Sequence, residues 1–500
     1  MPARRQPSGG GAVTGRQGGP HQAPTVTTER EVKLQPPAGF VMPALGDPLA
    51  PRTLNSTYYD TPDNALALLG VTLRRRTEDG KGAWQLKVPR DKSRLEVEAS
   101  GGPSAPPPAI RNLLVALTRN SQISAVLRMR TDRTGFRVAD KAGSPVADVV
   151  MDSVAVFRKG RKVGAFQEIE VELTGGSPKE LKRLERRLLE VGCVPSSGAT
   201  KLHRALGLAA PAVPEAISQD PGEVLKAALQ AQYRKVLLYD IGVRLGEDPE
   251  DLHQFRVALR RCREMLKCLK PMLDPQWGGD LEKGIKRIGK AMNAARDLDV
   301  MIDYLRGINS KFGSECEKEA GLLMKSLQTR RDACMGSAEK MMSSQPYFSF
   351  LDLLRDAGLQ PRMLPDHRVS ISDLAGAEFH TLASDITRLG GIPDEESVHS
   401  LRITGKRVRY AAELVAASGG KRVEAFLERA KAFQDVLGES NDARVLEGEA
   451  RDFAKRQDTA ESWFFCGRLV EHEEARRRAS LERFPKTWGQ MEKAGKAIWR

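Results

Sequence analysis

The sequence has few aromatic residues, no patterned cysteines and no long apolar runs. Phe, Trp and Tyr make up 5% of its 500 residues, and no aromatic RNA-binding motif is present, which argues against a nucleic-acid partner. The six cysteines show no CxxC or zinc-type spacing, so we expect reduced thiols in a cytoplasmic protein. No run approaches the roughly 18 apolar residues of a membrane helix, and we expect no membrane partner.

The length of the chain and the change of sequence pattern along it indicate several domains. A chain of this size is too long for one core. Residues 1–25 are rich in Gly and basic residues and lack the apolar core of a signal peptide, so we expect a disordered basic tail. Residues 26–208 alternate as strands do, 209–221 form an Ala/Pro-rich linker, and 222–490 have helical periodicity. We therefore predict a multi-domain α+β protein.

A net charge of +14 favours polyanionic partners, and part of this charge lies in a pattern that occurs twice. The first basic stripe consists of His253, Arg256, Arg260 and Arg263, and the second basic stripe of His399, Arg402, Lys406 and Arg409. Offsets of 3, 7 and 10 residues place each set on one face of a helix, over about 15 Å. No acid occupies these positions, so the pattern predicts binding of a polyanion along its backbone phosphates.

A second signature follows each stripe and shows that the pattern is an internal duplication. Residues 296–300 read RDLDV and residues 441–445 read NDARV. The stripes are 146 residues apart and the signatures, aligned on Asp297 and Asp442, are 145 apart. We therefore predict two related helical bundles packed into one domain.

Charged residues in the N-terminal half alternate with apolar ones along strand after strand. Examples are Glu29, Glu31 and Lys33, Arg74 and Arg76, Glu96 and Glu98, Arg128 and Arg130, and Glu168, Glu170 and Glu172. One strand of this kind is typical of a solvent face, but six are better explained by a closed antiparallel barrel with a polar interior and apolar faces packed against helices. Basic and acidic walls suit a metal-bound polyphosphate, since Arg and Lys bind phosphate and carboxylates bind Mg²⁺.

These segments resemble the CYTH superfamily, the triphosphate tunnel metalloenzymes. Residues 29–33 match its ExExK signature, and seven ordered segments extend the resemblance over about 180 residues. The resemblance implies that the substrate is bound by Lys33, Arg74, Arg76, Lys87, Arg128, Arg130 and Lys201. It implies that metal is bound or water oriented by Glu29, Glu31, Glu168, Glu170 and Glu172, supported by Asp152 and Glu98. The ExExK residues Glu29, Glu31 and Lys33 are its catalytic set.

The helical half resembles the CHAD family, the conserved histidine α-helical domain, over roughly residues 220–485. The resemblance implies two pseudo-symmetric four-helix bundles whose basic stripes bind inorganic polyphosphate. His253 and His399 have no second His or carboxylate at ligand spacing on their own helices, so a hydrogen bond to phosphate is a simpler role for them than metal binding.

The two resemblances together predict hydrolysis of inorganic triphosphate with Mg²⁺ or Mn²⁺ in the barrel, and binding of long-chain polyphosphate by the helices. Nucleoside or thiamine triphosphate remain alternative substrates. Another alternative is a non-catalytic polyphosphate-binding protein, and a nucleic-acid-associated protein has only the net charge in its favour. We expect a cytoplasmic location with association to polyphosphate granules.

Overall fold

The computed structural model describes residues 24–91, 93–119, 121–196, 198–210, 220–365 and 370–499. The chain divides into two compact units: residues up to 112 with 121–210 form the first, and residues 113–120 with those after 210 form the second. The predicted tail and linker fall mostly outside the described residues. No helix in the described chain is both long and apolar enough to cross a membrane.

The N-terminal unit is built on one antiparallel sheet. Its strands are β1 (Thr25–Glu29), β2 (Glu31–Gln35), β3 (Asp47–Asp60), β4 (Thr72–Glu78), β5 (Lys81–Pro89), β6 (Arg94–Ser100), β7 (Ser124–Ala139), β8 (Pro145–Arg158), β9 (Arg161–Leu173) and β10 (Val194–Pro195). The helices of this half of the chain are α1 (Ala65–Leu68), α2 (Pro108–Thr118), α3 (Pro178–Glu190) and α4 (Lys201–Leu206), of which α2 belongs to the first unit only up to Asn112. The strand order is β1-β6-β5-β4-β3-β7-β8-β9-β2-β10.

The sheet is not closed, which corrects the prediction of a closed barrel. The extended N-terminal segment is interrupted at Arg30, between β1 and β2, and the Arg30 carbonyl accepts a hydrogen bond from the Leu173 backbone N–H at 3.0 Å. As a result β1 pairs with β6 and β2 pairs with β9. The two strands lie toward opposite ends of the strand order yet are separated by one residue, so Arg30 joins the two ends covalently.

The two faces of the sheet have opposite character, as the alternation predicts. Ile169 and Val171 of β9 are fully buried and belong to one apolar cluster with Leu184 and Leu188 of α3. The glutamates between them therefore face the other side of the strand. Helix α3 begins with a capping box between Ser177 and Glu180, which fixes where the helix begins.

The C-terminal unit is helical. Its helices are α5 (Pro221–Leu245), α6 (Pro249–Cys268), α7 (Pro275–Ile308), α8 (Glu317–Met342), α9 (Gln345–Leu359), α10 (Ile371–Leu389), α11 (Glu395–Gln457), α12 (Ala460–Glu482) and α13 (Phe484–Lys496). Helix α11 consists of two arms that meet at Gly420, where φ is 59°, a value that favours glycine. The arms fold back on each other, since Gln434 Nε2 donates to the Gly405 carbonyl at 2.8 Å.

The duplication in the sequence is visible as two runs of helices in the same order. Helices α5 to α9 correspond to α10, the two arms of α11, α12 and α13, so each half has four longer segments and a shorter fifth. The halves also share a core, because Leu323 of α8 belongs to one cluster with Phe453 of α11 and Phe465 of α12. The two predicted bundles are therefore packed as one body.

Candidate functional site

A strongly polar cavity of about 110 Å³ lies on the inner face of the sheet. Its lining includes five glutamates and seven lysines or arginines. These are Glu29, Glu31, Glu96, Glu170 and Glu172, with Lys33, Arg74, Arg76, Lys87, Arg94, Arg133 and Lys201. All three residues of the ExExK segment reach it, because positions 29, 31 and 33 share one face of an extended chain.

Arg74 and Arg76 of β4 form a cationic wall. The Arg74 Nε donates to Gln85 Oε1 at 2.8 Å, whereas the buried Nε of Arg76 has no hydrogen-bond partner among the described residues. Burial and the adjacent charge of Arg74 lower the pKa of Arg76 to about 10. Burial opposes ionisation of the nearby Tyr58 phenol, but Arg74 and Lys201 lower its pKa. This wall has an excess of positive charge and unused donors, as an anion site requires.

Deeper in the cavity, Glu170 joins three cations. Lys201 Nζ lies 3.0 Å from Glu170 and Arg133 lies 2.6 Å from it, and Lys33 makes a short ion pair with the same carboxylate. Burial alone raises the pKa of Glu170, but Lys201, Lys33 and Arg133 together lower it well below its usual range. Since Glu170 is ionised and fully paired, it holds these cations in place.

Two further carboxylates lie behind this group. Asp152, fully buried, accepts two 2.7 Å hydrogen bonds from Arg133. Glu168, also fully buried, lies 3.4 Å from Lys201 and 3.6 Å from Lys33. Both are therefore placed to orient the lysines and Arg133 rather than to contact a ligand.

The opposite wall is acidic. Glu29 accepts hydrogen bonds from Lys87 Nζ at 2.6 and 2.7 Å, and Lys87 also lies 3.2 Å from Glu96. Burial and a hydrogen bond with Glu96 raise the pKa of Glu29. Glu29 and Glu96 therefore act as a coupled pair of carboxyl groups beside one lysine.

Glu31 and Glu172 lie directly opposite each other in the register of β2 and β9. Glu31 is paired with Arg94 at 3.0 Å, whereas Glu172 has no ion pair among the residues that the structure describes. Burial and the charge of Glu29 raise the pKa of Glu172. Like charges placed opposite each other destabilise a sheet, so this position favours an added cation.

The acidic wall has the donor chemistry of a magnesium or manganese site without forming one by itself. Within the described ranges, no three His, Cys, Asp or Glu side chains form a group that could hold a metal ion. Carboxylate oxygens are the ligands that Mg²⁺ prefers. Of the six predicted metal ligands, Glu29, Glu31 and Glu172 line the acidic wall, while Asp152, Glu168 and Glu170 are paired with lysines and arginine.

Not every predicted residue lies at the cavity. Arg128 and Arg130 are exposed on the outer face of β7, because Leu127 and Met129 point inward to pack in one cluster with Leu202 of α4. Glu98 is also exposed and accepts a hydrogen bond from Gln85 at 2.8 Å. The predicted Lys201 does reach the cavity, from the first turn of α4.

Sequence reasoning missed two arginines of the site. Arg133 lies on the same face of β7 as Leu127 and Met129, which point inward. The alternation of side chains along β7 was therefore the signal that could have identified Arg133. Arg94 stands two residues before Glu96 on β6, at a spacing that places both on one face.

In the helical unit, the basic stripes lie on α6 and on the first arm of α11, and they meet where these helices contact. Arg260 Nε donates to the Tyr410 hydroxyl at 2.8 Å. The 146-residue repeat maps this pair onto Lys406 and Glu264, and the charge of Glu264 does act on Lys406. The contact between α6 and the first arm of α11 is therefore the place where the two duplicated halves meet with pseudo-twofold symmetry. Burial and the charges of Arg402 and Arg260 lower the pKa of Lys406 to about 7.

The second signature supplies counter-ions to the second position of each stripe. Asp297 lies 3.3 Å from Arg256 and Asp442 lies 4.0 Å from Arg402. The stripes are therefore less free of acids than their sequence indicates, since Glu413 also lies 3.3 Å from Arg409. Asp297 is 65% exposed, so its pairing with Arg256 is weak and can be displaced.

The two histidines differ in environment. His253 is half-buried, and burial together with the charge of Arg296 lowers its pKa. His399 is exposed. The lowered pKa of His253 leaves the three arginines as the principal charges of the first stripe at neutral pH.

Comparisons with known proteins match both halves of the chain. The model of the CYTH domain matches residues 28–204 and that of the CHAD domain matches residues 227–451. Two curated Mycobacterium tuberculosis proteins, both named uncharacterized, are 28% identical over 456 residues, which cover 84% of this chain and 86% of theirs.

Solved structures similar to parts of the chain include PptA from Streptomyces chartreusis, at 19% identity and a TM-score of 0.43, covering 54% of this chain and 99% of that one. The CHAD domain from Ricinus communis is 26% identical with a TM-score of 0.42, covering 55% and 96%. A putative adenylyl cyclase from Hippeastrum, titled as having dominant triphosphatase activity, is 20% identical with a TM-score of 0.26, covering 37% and 98%.

CYTH domains are metal-dependent tunnel enzymes that act on triphosphates, and CHAD domains are linked to polyphosphate. The matched ranges coincide with the sheet that carries the cavity and with the helices that carry the basic stripes. The chain is thus a CYTH–CHAD protein, with a CYTH domain at 28–204 followed by a CHAD domain at 227–451.

Proposed function

We propose that the protein hydrolyses inorganic triphosphate to diphosphate and phosphate in the cavity of its CYTH domain, and binds long-chain polyphosphate through its CHAD domain. The observation that carries the first part is the division of the cavity into a cationic wall with unused donors and an acidic wall with an unpaired carboxylate. A metal–triphosphate complex has the complementary charge distribution.

The cationic residues would hold the phosphate oxygens. Arg76 has an unpartnered buried Nε, and Arg74 lies 3.5 Å from the Tyr58 hydroxyl with its Nε fixed by Gln85. Arg133 and Lys201 are oriented from behind by Asp152. Such preorganised donors stabilise charge that develops on a transferred phosphoryl group, because they need not reorient during the reaction.

Glu29, Glu31 and Glu172 would hold Mg²⁺ or Mn²⁺, which supplies charge neutralisation and polarisation of the phosphate oxygens. Glu31 is positioned for this by Arg94, and Glu29 by Lys87. Binding of a divalent cation would relieve the repulsion between Glu31 and Glu172. Lys33 is enclosed by Glu31, Glu168 and Glu170, and these negative charges keep it protonated beside the substrate.

The decisive experiment measures phosphate release by the purified full chain from tripolyphosphate, ATP and thiamine triphosphate, with Mg²⁺ or Mn²⁺. We expect metal-dependent release, fastest from tripolyphosphate, and loss of it in the double variant Glu29→Gln/Glu31→Gln. The matched control is Arg128→Gln/Arg130→Gln, which changes charged residues of the same domain that lie outside the cavity. Release from none of the substrates would refute the enzymatic proposal and favour a binding protein.

The binding proposal for the CHAD domain is tested separately. We expect Arg256→Glu/Arg402→Glu to abolish binding of long-chain polyphosphate while leaving tripolyphosphate hydrolysis unchanged, because these arginines belong to the stripes alone. Unchanged binding would reject the stripes as the polyphosphate site. Equal binding of duplex DNA at physiological salt would instead indicate a general affinity for polyanions.

A further inference from the structure

Arg296 is a cation beside the first basic stripe; it opens the first copy of the second signature and has no charged counterpart in the second copy. It lies on α7 within one turn of Asn293 and Asp297, the two residues that contact Arg256 at 3.0 and 3.3 Å. Its charge acts on both His253 and Arg256. Arg296 is therefore placed next to the first two positions of the stripe.

Arg296 has no counter-ion of its own in the part of the chain that the structure describes. Its half-buried side chain has a buried Nε without a hydrogen-bond partner. The nearby Asp299 is engaged by Arg331 at 3.0 Å, and Asp297 pairs with Arg256. An arginine left uncompensated beside other cations is costly unless an anion joins them.

The second half of the domain lacks this feature. The residue equivalent to Arg296 is Asn441, which carries no charge. An arginine does occur one turn later, at Arg444, but it lies 3.1 Å from Glu395 and so already has an ion-pair partner. The two halves, related by duplication, are thus unequal at this position.

The surroundings of Arg296 also define where an anion must stop. Arg296 borders a cavity of about 710 Å³ in which carboxylates outnumber arginines: its lining includes Asp248, Glu250, Asp299, Asp303 and Asp332, with Arg306 and Arg331 beside Arg296 itself. These carboxylates would repel a polyanion that extended past Arg296. The favourable path therefore turns along the stripe rather than into the cavity.

We propose that Arg296 is a further polyphosphate contact, which extends the first stripe and makes the first half of the CHAD domain the stronger binding half. The inference rests on the proposed function of the stripes. The duplicated stripes alone would predict that both halves bind polyphosphate equally, whereas Arg296 makes the first half bind more strongly.

The test compares Arg296→Gln with Arg444→Gln in the full chain, using long-chain sodium polyphosphate and titration at several salt concentrations. Both variants remove one positive charge from equivalent regions of the two halves. We expect Arg296→Gln to weaken binding about tenfold, as loss of a charge-assisted hydrogen bond does, and to lower the salt slope by about 0.7. We expect Arg444→Gln to bind within about twofold of the parent chain.

Equal effects of the two variants, whether both weaken binding or neither does, would overturn the proposal. If Arg296→Gln lowers the melting temperature, the variant Arg296→Lys is compared with it, because lysine keeps the positive charge. Affinity restored to that of the parent chain would support the contact. Affinity as low as that of Arg296→Gln would contradict it. The double variant Arg256→Glu/Arg402→Glu distinguishes failure of the stripe proposal from failure of the Arg296 proposal. If this double variant binds normally, the stripe proposal fails and this one with it, whereas loss of binding there with no effect at Arg296 rejects this inference alone.

Discussion

Polyphosphate binding by the CHAD domain is expected to weaken as pH rises above neutrality, because of Lys406. In the free protein its pKa is lowered from 10.5 to about 7 by burial and by Arg402 and Arg260. A bound polyanion neutralises these arginines and returns the pKa toward its ordinary value. Binding above pH 7 must therefore take up a proton.

The magnitude follows from linkage between protonation and binding. If the pKa returns fully to 10.5 in the complex, the affinity falls about 20-fold between about pH 7.5 and about pH 9, equivalent to about 2 kcal/mol. The other charged groups that act on Lys406 are Arg402, Arg260, Asp442 and Glu264, and none of these residue types ordinarily titrates in that range. The internal phosphates of a long chain are also fully ionised there.

Calorimetric titration with long-chain polyphosphate in two buffers of different ionisation enthalpy measures both the affinity and the proton uptake. Lys406→Arg should bind with little dependence on pH, because arginine keeps its charge, and Lys406→Gln should bind weakly throughout. The folding stability of the ligand-free protein should change with pH in the opposite direction to the affinity. Between about pH 7 and 10.5 the unfolded chain binds more protons at Lys406 than the folded chain does, so the folded protein becomes more stable as pH rises. A parent chain whose affinity is independent of pH from about 7.5 to 9 would refute the reasoning.

Three further predictions concern single contacts. Arg76→Gln should raise the KM for tripolyphosphate about tenfold or more, whereas Arg128→Gln should leave the steady-state kinetics unchanged; equal effects would place the substrate elsewhere. Glu172→Gln should raise the melting temperature of the metal-free protein, because it removes repulsion from Glu31, and should reduce the stabilisation by added Mg²⁺; a lower melting temperature would contradict this assignment. Asp297→Asn should strengthen polyphosphate binding about two- to threefold by freeing Arg256, and weaker binding in a titration would show that Asp297 orients that arginine instead.

The strands that sequence patterns predict best are those with charges on one face only. The β9 segment alternates glutamate with Ile, Val and Leu, so its inner and outer faces are explicit in the sequence. Strand β3 is harder to predict from its sequence, because Pro48 and Pro51 argue against a strand. The structure accommodates them through a shift of register between Leu49 and Arg52, which the sequence does not specify.

Prediction of the site residues failed where the inner face of the sheet changes from charged to apolar. Charged residues mark the inner face of β4 and β9, but the same criterion selects the outer face of β7. There Arg128 and Arg130 alternate with Leu127 and Met129, which pack against α4. Which face of such a strand is internal depends on what fills that end of the cavity, and this is a property of distant residues. Arg133 enters the site farther along the same strand, where acidic partners replace apolar ones.

In the helical domain, the stripes could be located from spacing alone, but their electrostatic state could not. The low pKa of Lys406 depends on the approach of Arg260 from another helix, and the counter-ion of Arg256 comes from α7. Both effects follow from tertiary packing. The duplication nevertheless predicts their symmetry correctly, since Asp297 and Asp442 occupy matching positions opposite matching arginines.

The interruption of the first strand at Arg30 has a consequence for how the polar cavity is assembled during folding. Glu29 contacts Lys87 across 58 residues and Lys33 contacts Glu170 across 137, so the N-terminal segment bridges the early and late parts of the sheet. Lys201, at the other end of the domain, reaches Asp152 and Glu170. Contacts of such long range form late, because they require closure of large loops. A nascent chain therefore has no complete site until α4 has been synthesised and both ends of the domain have docked.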